Sequence, residues 1–261
     1  MRKLFVTILF MAFAAAANAS SLTETIDRTF DVRSGAKLAL DNVNGRITIT
    51  SWDQPRIRVR AEKSIARTDA KDAKQAMAEL RVEMEATADG VSVKTVMPKK
   101  NSAGLWDFMF GNFNSATVIY EVTVPRVTNV DVSNTNGRIQ MSGVTGVLHV
   151  ETTNGRIEME RCGGSAEIET TNGAVKADLA TLDPARPTRI ETTNGRIDLT
   201  LPRTTRGSID AETTNGKVQS DVPVTVRSSD KNSLRGTING GGGASLRLRT
   251  TNGGIQIHAA P

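Results

Sequence analysis

The sequence is short of the residue types from which most active sites are built. It has one cysteine, Cys162, and two histidines, His149 and His258, in 261 residues. A single cysteine excludes an internal disulfide, and the His/Cys spacing of a metal site is missing. In Glu160-Arg-Cys-Gly-Gly164 that cysteine reads as a small apolar residue packed near a corner rather than a reactive thiol. No P-loop or nucleophile elbow occurs. Catalytic residues, cofactors and metal ligands are therefore all expected to be none. Lys and Arg form no run, which argues against a nucleic-acid partner. Aromatic residues make up only 4% of the chain. Beyond the first twenty positions no apolar run approaches the length of a membrane-spanning helix.

What the sequence has in quantity is one motif. Glu151-Thr-Thr-Asn-Gly-Arg-Ile157 returns as Glu169-Thr-Thr-Asn-Gly-Ala-Val175, Glu191-Thr-Thr-Asn-Gly-Arg-Ile197 and Glu212-Thr-Thr-Asn-Gly-Lys-Val218. Weaker copies centre on Asn44, Asn136 and Asn252. From Asn136 the intervals are 18, 18, 22, 21 and 37 residues, and Val226-Arg-Ser-Ser-Asp230 imitates a further copy inside the last one. Periods near 20 residues mark a solenoid. Within each copy apolar and polar residues alternate, as in Leu148, Val150, Ile157 and Met159 against His149, Glu151, Arg156 and Glu158. That is the period of half-buried strands meeting at an Asn-Gly turn, whose two residues both tolerate positive φ.

An antiparallel meander and a parallel β-helix could both use such a turn. The β-helix is preferred, because stacked coils place identical residues about 4.8 Å apart in ladders. Asn amides and Thr hydroxyls can then bond from coil to coil. The fold class expected is all-β: a single-stranded parallel β-helix or solenoid with coils of about 18–22 residues, plus a small N-terminal β-rich part with one short helix.

Residues 1–19 read as a signal peptide: Arg2 and Lys3, the apolar run Leu4–Phe13, and Ala17-Asn18-Ala19 before Ser20. Removing it leaves 31 basic against 28 acidic residues, nearly balanced. The expected location is exported, periplasmic or at the cell surface, with no transmembrane segment. Residues 20–116 form the β-rich part, with strands Thr25–Val32, Lys37–Leu40, Ile47–Thr50 and Arg56–Arg60. Helical spacing of Ala66, Ala70, Ala73, Met77 and Leu80 predicts a helix over about 68–80, N-capped by Thr68, as a cover over an open end of the sheet. Strands Arg81–Ala86 and Val91–Val96 flank a turn at Asp89-Gly90. Residues 97–116 form a loop that carries Trp106, Phe108, Phe110 and Phe113, either a plug or a partner-binding surface, with Lys99 and Lys100 beside it. The solenoid proper is 117–261.

The stretch Asn42-Val-Asn-Gly-Arg-Ile-Thr-Ile-Thr-Ser-Trp-Asp-Gln-Pro-Arg-Ile-Arg-Val-Arg-Ala-Glu-Lys63, followed by the Thr-Asn-Gly repeats, resembles the DUF4097 family of bacterial exported proteins. The resemblance runs from about Phe30 to Ile257. It implies a β-solenoid and an adhesin-like role, and it carries over no catalytic residues.

Carboxylates are the one remaining route to chemistry. Glu151, Glu169, Glu191 and Glu212 are expected to stack in a ladder that could bind calcium or act as acid and base. Arg156, Arg196 and Lys217, five residues on, are expected to neutralise them as a solvated salt-bridge face. The function expected is a non-catalytic envelope module, an adhesin or binding protein for an envelope glycan or protein. The alternatives are a carbohydrate-active β-helix enzyme, for which intervals this short leave little loop to build a groove, and a sensing protein acting through a protein partner.

Overall fold

The structure is a computed structural model that describes residues 21–66, 70–98 and 116–260. The expected signal peptide, Thr68 and residues 99–115 lie outside them. Along the chain, β1 (Ser21–Asp31), β2 (Lys37–Asn44), β3 (Ile47–Trp52) and β4 (Arg56–Ala66) precede α1 (Ala70–Glu79). Next come β5 (Arg81–Ala86), β6 (Gly90–Val96), β7 (Ala116–Pro125), β8 (Asn129–Asn136), β9 (Ile139–Ser142), β10 (Thr145–Asn154) and β11 (Ile157–Asn172). The last third holds β12 (Val175–Leu182), β13 (Thr188–Asn194), β14 (Ile197–Leu201), β15 (Gly207–Asn215) and β16 (Val218–Ser220). It ends with β17 (Val224–Asp230), β18 (Ser233–Ile238), β19 (Ala244–Asn252) and β20 (Ile255–Ala259). All belong to one 20-stranded sheet.

Each Asn-Gly turn carries the chain from one face of the molecule to the other. β10 pairs in parallel with β8 and with the second half of β11, so that Asn154 lies beside Asn136 and Asn172. After the turn, Ile157–Glu160 at the start of β11 pairs in parallel with β9. A hairpin would have paired those two segments with each other. β11 itself crosses between the faces at a bulge around Arg161 (φ 50°) and Cys162. Such bulges bend a strand sharply, and this one forms the corner opposite the Asn-Gly edge.

Between the faces lies the apolar half of the alternation. Leu148, Val150, Ile157, Ile168, Ile190 and Ile197 are all 1% exposed or less. Full burial of one aliphatic side chain contributes about 1.5–3 kcal/mol, so every rung adds its inward residues to a core shared along the stack. Tyr120 is enclosed in the same core. Its hydroxyl lies 2.7 Å from that of Thr95, which donates to Asn42 Oδ1 at 2.8 Å.

A purely parallel, single-stranded solenoid is not what forms, because the sheet is mixed. β4 runs antiparallel to β7 and β1 antiparallel to β4, while β5 runs antiparallel to β6. At the far end β18 pairs antiparallel with β15, and β17 with β18. These returns cover edges that parallel stacking would leave open. α1 lies on β4 and β1, burying Ala73, Ala76 and Met77, with Leu80 just after it. The Lys63 ammonium seals that packing by donating to the Leu80 carbonyl (3.1 Å) and pairing with Glu24 (2.8 Å).

The order of rungs also departs from the order of the sequence. β13 and β14 pair with β19 and β20, which in turn pair with β15 and β16. The final rung is thus inserted between two earlier ones. At the other end β6 and β7 stack outside β2 and β3. Val226–Asp230, expected as a degenerate coil, lies in the antiparallel strand β17 and has no place in the ladder. It lacks both the Asn-Gly turn and an inward apolar residue, and Val226 is 52% exposed.

Candidate binding edge

Seven asparagines stack along the turn edge in the order Asn44, Asn136, Asn154, Asn172, Asn194, Asn252, Asn215. Each Nδ2 donates to the Oδ1 of the preceding residue in that order, at 2.7–2.9 Å, so all the side-chain amides point one way. Amides bonded in series polarise one another. Just inside this row, the hydroxyls of Thr170, Thr192, Thr250 and Thr213 each donate to a glycine carbonyl of the neighbouring turn at 2.7–3.1 Å. Asn134 replaces threonine in its rung, and its amide takes the Gly137 carbonyl that Thr152 would otherwise reach. Asn134 Oδ1 and Thr152 Oγ1 are left buried without partners.

Positive φ explains the turn glycine only in part. Gly45, Gly137 and Gly253 have it (132°, 138° and 157°), but Gly155, Gly173 and Gly195 do not, and neither does any ladder asparagine. A Cβ on Gly173 would instead fall on the carbonyl oxygen of Gly155, and one on Gly195 on that of Gly173. The rungs approach too closely at this edge for any side chain.

Outside the asparagines run two exposed rows. One holds Thr135, Thr153, Thr171, Thr193, Thr251 and Thr214. The other, beyond the turn, holds Arg46, Arg138, Arg156, Ala174, Arg196, Gly254 and Lys217, its order fixed by backbone hydrogen bonds between rungs. Of these, the sequence reading had assigned only Arg156, Arg196 and Lys217, as neutralisers of the glutamate row. The structure assigns other partners: Arg156 pairs with Glu158 (3.3 Å) and Arg196 with Asp198 (2.9 Å).

The glutamate row is itself interrupted. Glu151, Glu169 and Glu191 are direct neighbours, but the inserted β19 places Arg249 between Glu191 and Glu212. Arg249 donates to Asp210 (2.6 Å) and lies 3.6 Å from Glu212. Its hydrogen bond, with help from Arg235, holds the Asp210 carboxyl below its ordinary range against the opposing effect of burial. Among the described residues no group of three or more His, Cys, Asp or Glu side chains is arranged to hold a metal ion.

The remaining candidates are dispersed. His149 lies 3.6 Å from Glu167 on one face, and His258 lies 2.8 Å from Asp221 on the other. The buried Cys162 thiol faces the carbonyls of Met141 and Glu160, and burial pushes its pKa up. Trp106, Phe108, Phe110 and Phe113, with Lys99 and Lys100, lie outside the described residues. The strands either side of that loop, β6 and β7, stack on β2 and β3, and Asn44 Nδ2 donates to the Ala116 carbonyl at 3.3 Å. The loop thus leaves and rejoins the described structure where another rung has its Asn-Gly turn.

Fold and edge together define an all-β repeat protein whose stacked rungs share one ladder of turns. Residues 120–258, just over half of the chain, match the Toastrack DUF4097 family, and the chain belongs to that family. Among solved structures, a candidate cell adhesion protein from Clostridium sporogenes is 12% identical with a TM-score of 0.49, over 91% of this chain and 100% of that one. A candidate adhesin from Bacteroides fragilis is 10% identical with a TM-score of 0.31, over 91% and 97%. Likenesses this loose carry no argument about function. No curated protein matches the chain.

Proposed function

We propose that this protein is a non-catalytic, adhesin-like binding module of the cell envelope, built on a β-solenoid and presenting its Asn-Gly edge to a glycan or protein partner. The observation that supports this reading is the edge itself, where one set of Thr, Asn and basic side chains recurs rung after rung in a fixed register. Repetition along a line turns individually weak contacts into avidity. Export is supported by the Arg2-Lys3 start, the apolar run and Ala17-Asn18-Ala19. No helix among the described residues is long and apolar enough to cross a membrane. Against the enzyme reading, Glu151 and Glu169 are cross-strand neighbours on an open sheet face rather than a pair flanking a cleft.

The test is to present the purified chain to immobilised envelope polysaccharides and envelope proteins. Saturable binding without change to the bound polymer is expected. New reducing ends from any bound polysaccharide would refute the non-catalytic reading. Failure to bind any envelope component would refute the module itself.

A further inference from the structure

Like charges set directly opposite each other on adjacent strands repel, so a row of them calls for compensation. The row beyond the Asn-Gly turn places Arg46, Arg138 and Arg156 on three consecutive rungs. Ile47 N donates to the Arg138 carbonyl and Ile139 N to that of Arg156, both at 3.0 Å. Arg196 and Lys217 continue the row past Ala174 and Gly254, and no acidic residue interrupts it. The five basic side chains are all exposed.

Compensation from the protein itself is incomplete. Glu158 is shared between Arg156 (3.3 Å) and Arg138 (3.9 Å), and Asp198 serves Arg196. Arg46 and Lys217 have no acidic group within ion-pair distance among the described residues. The neighbouring Asn and Thr rows carry no charge. The ladder uses one hydrogen and one lone pair of each amide, so the others remain free to face solvent. At about 4.8 Å per rung the strip extends roughly 30 Å.

We propose that this strip binds a linear polyuronate, an acidic polysaccharide lying along the stack. Its carboxylates meet the basic row, and its hydroxyls meet the Asn amides and Thr hydroxyls. The assignment rests on the binding-module reading and names its ligand class. Guanidinium forks match carboxylates two bonds at a time. An extended pyranose ribbon advances by a distance comparable to one rung per sugar and turns alternate carboxylates to one side, which matches the two-rung spacing of Arg46, Arg156, Arg196 and Lys217. A single-stranded nucleic acid also offers a line of anions, but its binding draws on aromatic platforms for the bases. The Thr, Asn and Arg rows contain no aromatic residue.

The experiment measures binding of the full purified chain to polygalacturonate, neutral dextran and single-stranded DNA at several salt concentrations. Wild-type protein should bind polygalacturonate, more weakly as salt screens the pairs, and ignore dextran. The double variant Arg138→Gln/Arg156→Gln should lose about tenfold in affinity while keeping its melting temperature, since exposed ion pairs contribute little to folding. Arg247→Gln, which removes an exposed charge on the other face, should bind as wild type does. Undiminished binding by the double variant would refute the strip as the site and leave the binding module standing. Tighter binding to DNA than to polygalacturonate would refute the glycan assignment. If polygalacturonate is not bound, the ligand class is wrong, and the binding module then stands or falls on the screen of envelope polysaccharides and proteins.

Discussion

Replacing single ladder asparagines by alanine tests the rung order directly. Asn172→Ala removes two hydrogen bonds, its own to Asn154 Oδ1 and the one it accepts from Asn194 Nδ2, both 2.8 Å. A net hydrogen bond contributes about 0.5–1.5 kcal/mol. These amides are exposed, so water partly replaces a lost partner and the low end of that range applies. Asn172→Ala should therefore cost about 1–2 kcal/mol. Asn252 is the last of the seven in sequence, yet it lies between Asn194 and Asn215 and also makes two ladder bonds. Asn252→Ala should match Asn172→Ala. Asn215 is last in space, makes one ladder bond, and should cost about half as much.

Urea denaturation of the three variants, compared at a common slope, gives the three differences. A double-mutant cycle sharpens the result. Asn194 and Asn252 touch, so their effects should be strongly non-additive, whereas Asn194 and Asn215 meet only through Asn252 and should couple less. The smaller loss at Asn252, or stronger coupling of Asn194 to Asn215 than to Asn252, would refute the inserted rung. Equal losses at all three positions would mean that each asparagine serves only its own turn.

Ile157→Ala and Ile168→Ala, at fully buried positions, should each cost about 2–5 kcal/mol by chemical denaturation, and a loss under about 0.5 kcal/mol at both would invert the inside–outside register. Gly173→Ala should destabilise more than Gly242→Ala in thermal unfolding, because the first meets a neighbouring backbone carbonyl and the second meets open space at φ 71°. Burial pushes the phenol of Tyr120, the one tyrosine of the chain, up to about 12 against an ordinary value of 10.0. The neutral phenol is the form the fold favours, so stability present below pH 10.0 should fall as pH rises towards about 12, and tyrosinate absorbance should appear with unfolding rather than before it. Asn215-Gly216 should deamidate before the other ladder turns on incubation in mild alkali, read by peptide mass mapping. The attacking nitrogen at the six other turns is held in a hydrogen bond to the neighbouring rung, and earlier loss at any of them would refute this protection.

Much of the architecture was legible because it is carried by local pattern. Period-two alternation around Ile157 and Ile168 marks the inward faces, and identical turn residues favour in-register parallel stacking over a meander. The strand ranges from Lys37 to Val96 follow from alternation and from the turns at Trp52–Pro55 and Asp89-Gly90. Rung order was not legible in the same way. Copies that look alike can neighbour one another in any order, and the choice is made by long-range pairing. One signal did exist: the copy ending at Asn252 begins with Arg249 where the four full copies have glutamate. A cation there suits a place between Glu191 and Glu212, which is where it sits. The basic row was likewise visible in Asn-Gly-Arg at Arg46, Arg138, Arg156 and Arg196, once these are counted along the stack rather than matched to glutamates across the turn. Positive φ accounts for the turn glycine at Gly45, Gly137 and Gly253, whereas the carbonyl approach that recurs at every ladder turn belongs to two rungs and is not legible in one copy.

The inserted rung has a consequence for how the stack holds together. In a repeat array threaded in sequence order, a terminal repeat has one neighbour and can open alone. Here β19 and β20 are the last strands of the chain and yet have neighbours on both sides. β15 and β16, which form the end of the ladder on that side, come earlier in sequence, and β15 is tied down by β18. To release β19 and β20, pairings on both sides must break, and the Asn194–Asn252 and Asn252–Asn215 bonds must part with them. β13 and β14 also cannot complete their edge until a segment about fifty residues later arrives, and contacts so distant in sequence slow folding. The C-terminal third should therefore open as one unit. That rigidity holds Lys217 in register with Arg196, two rungs away, and so keeps the basic row continuous along the edge.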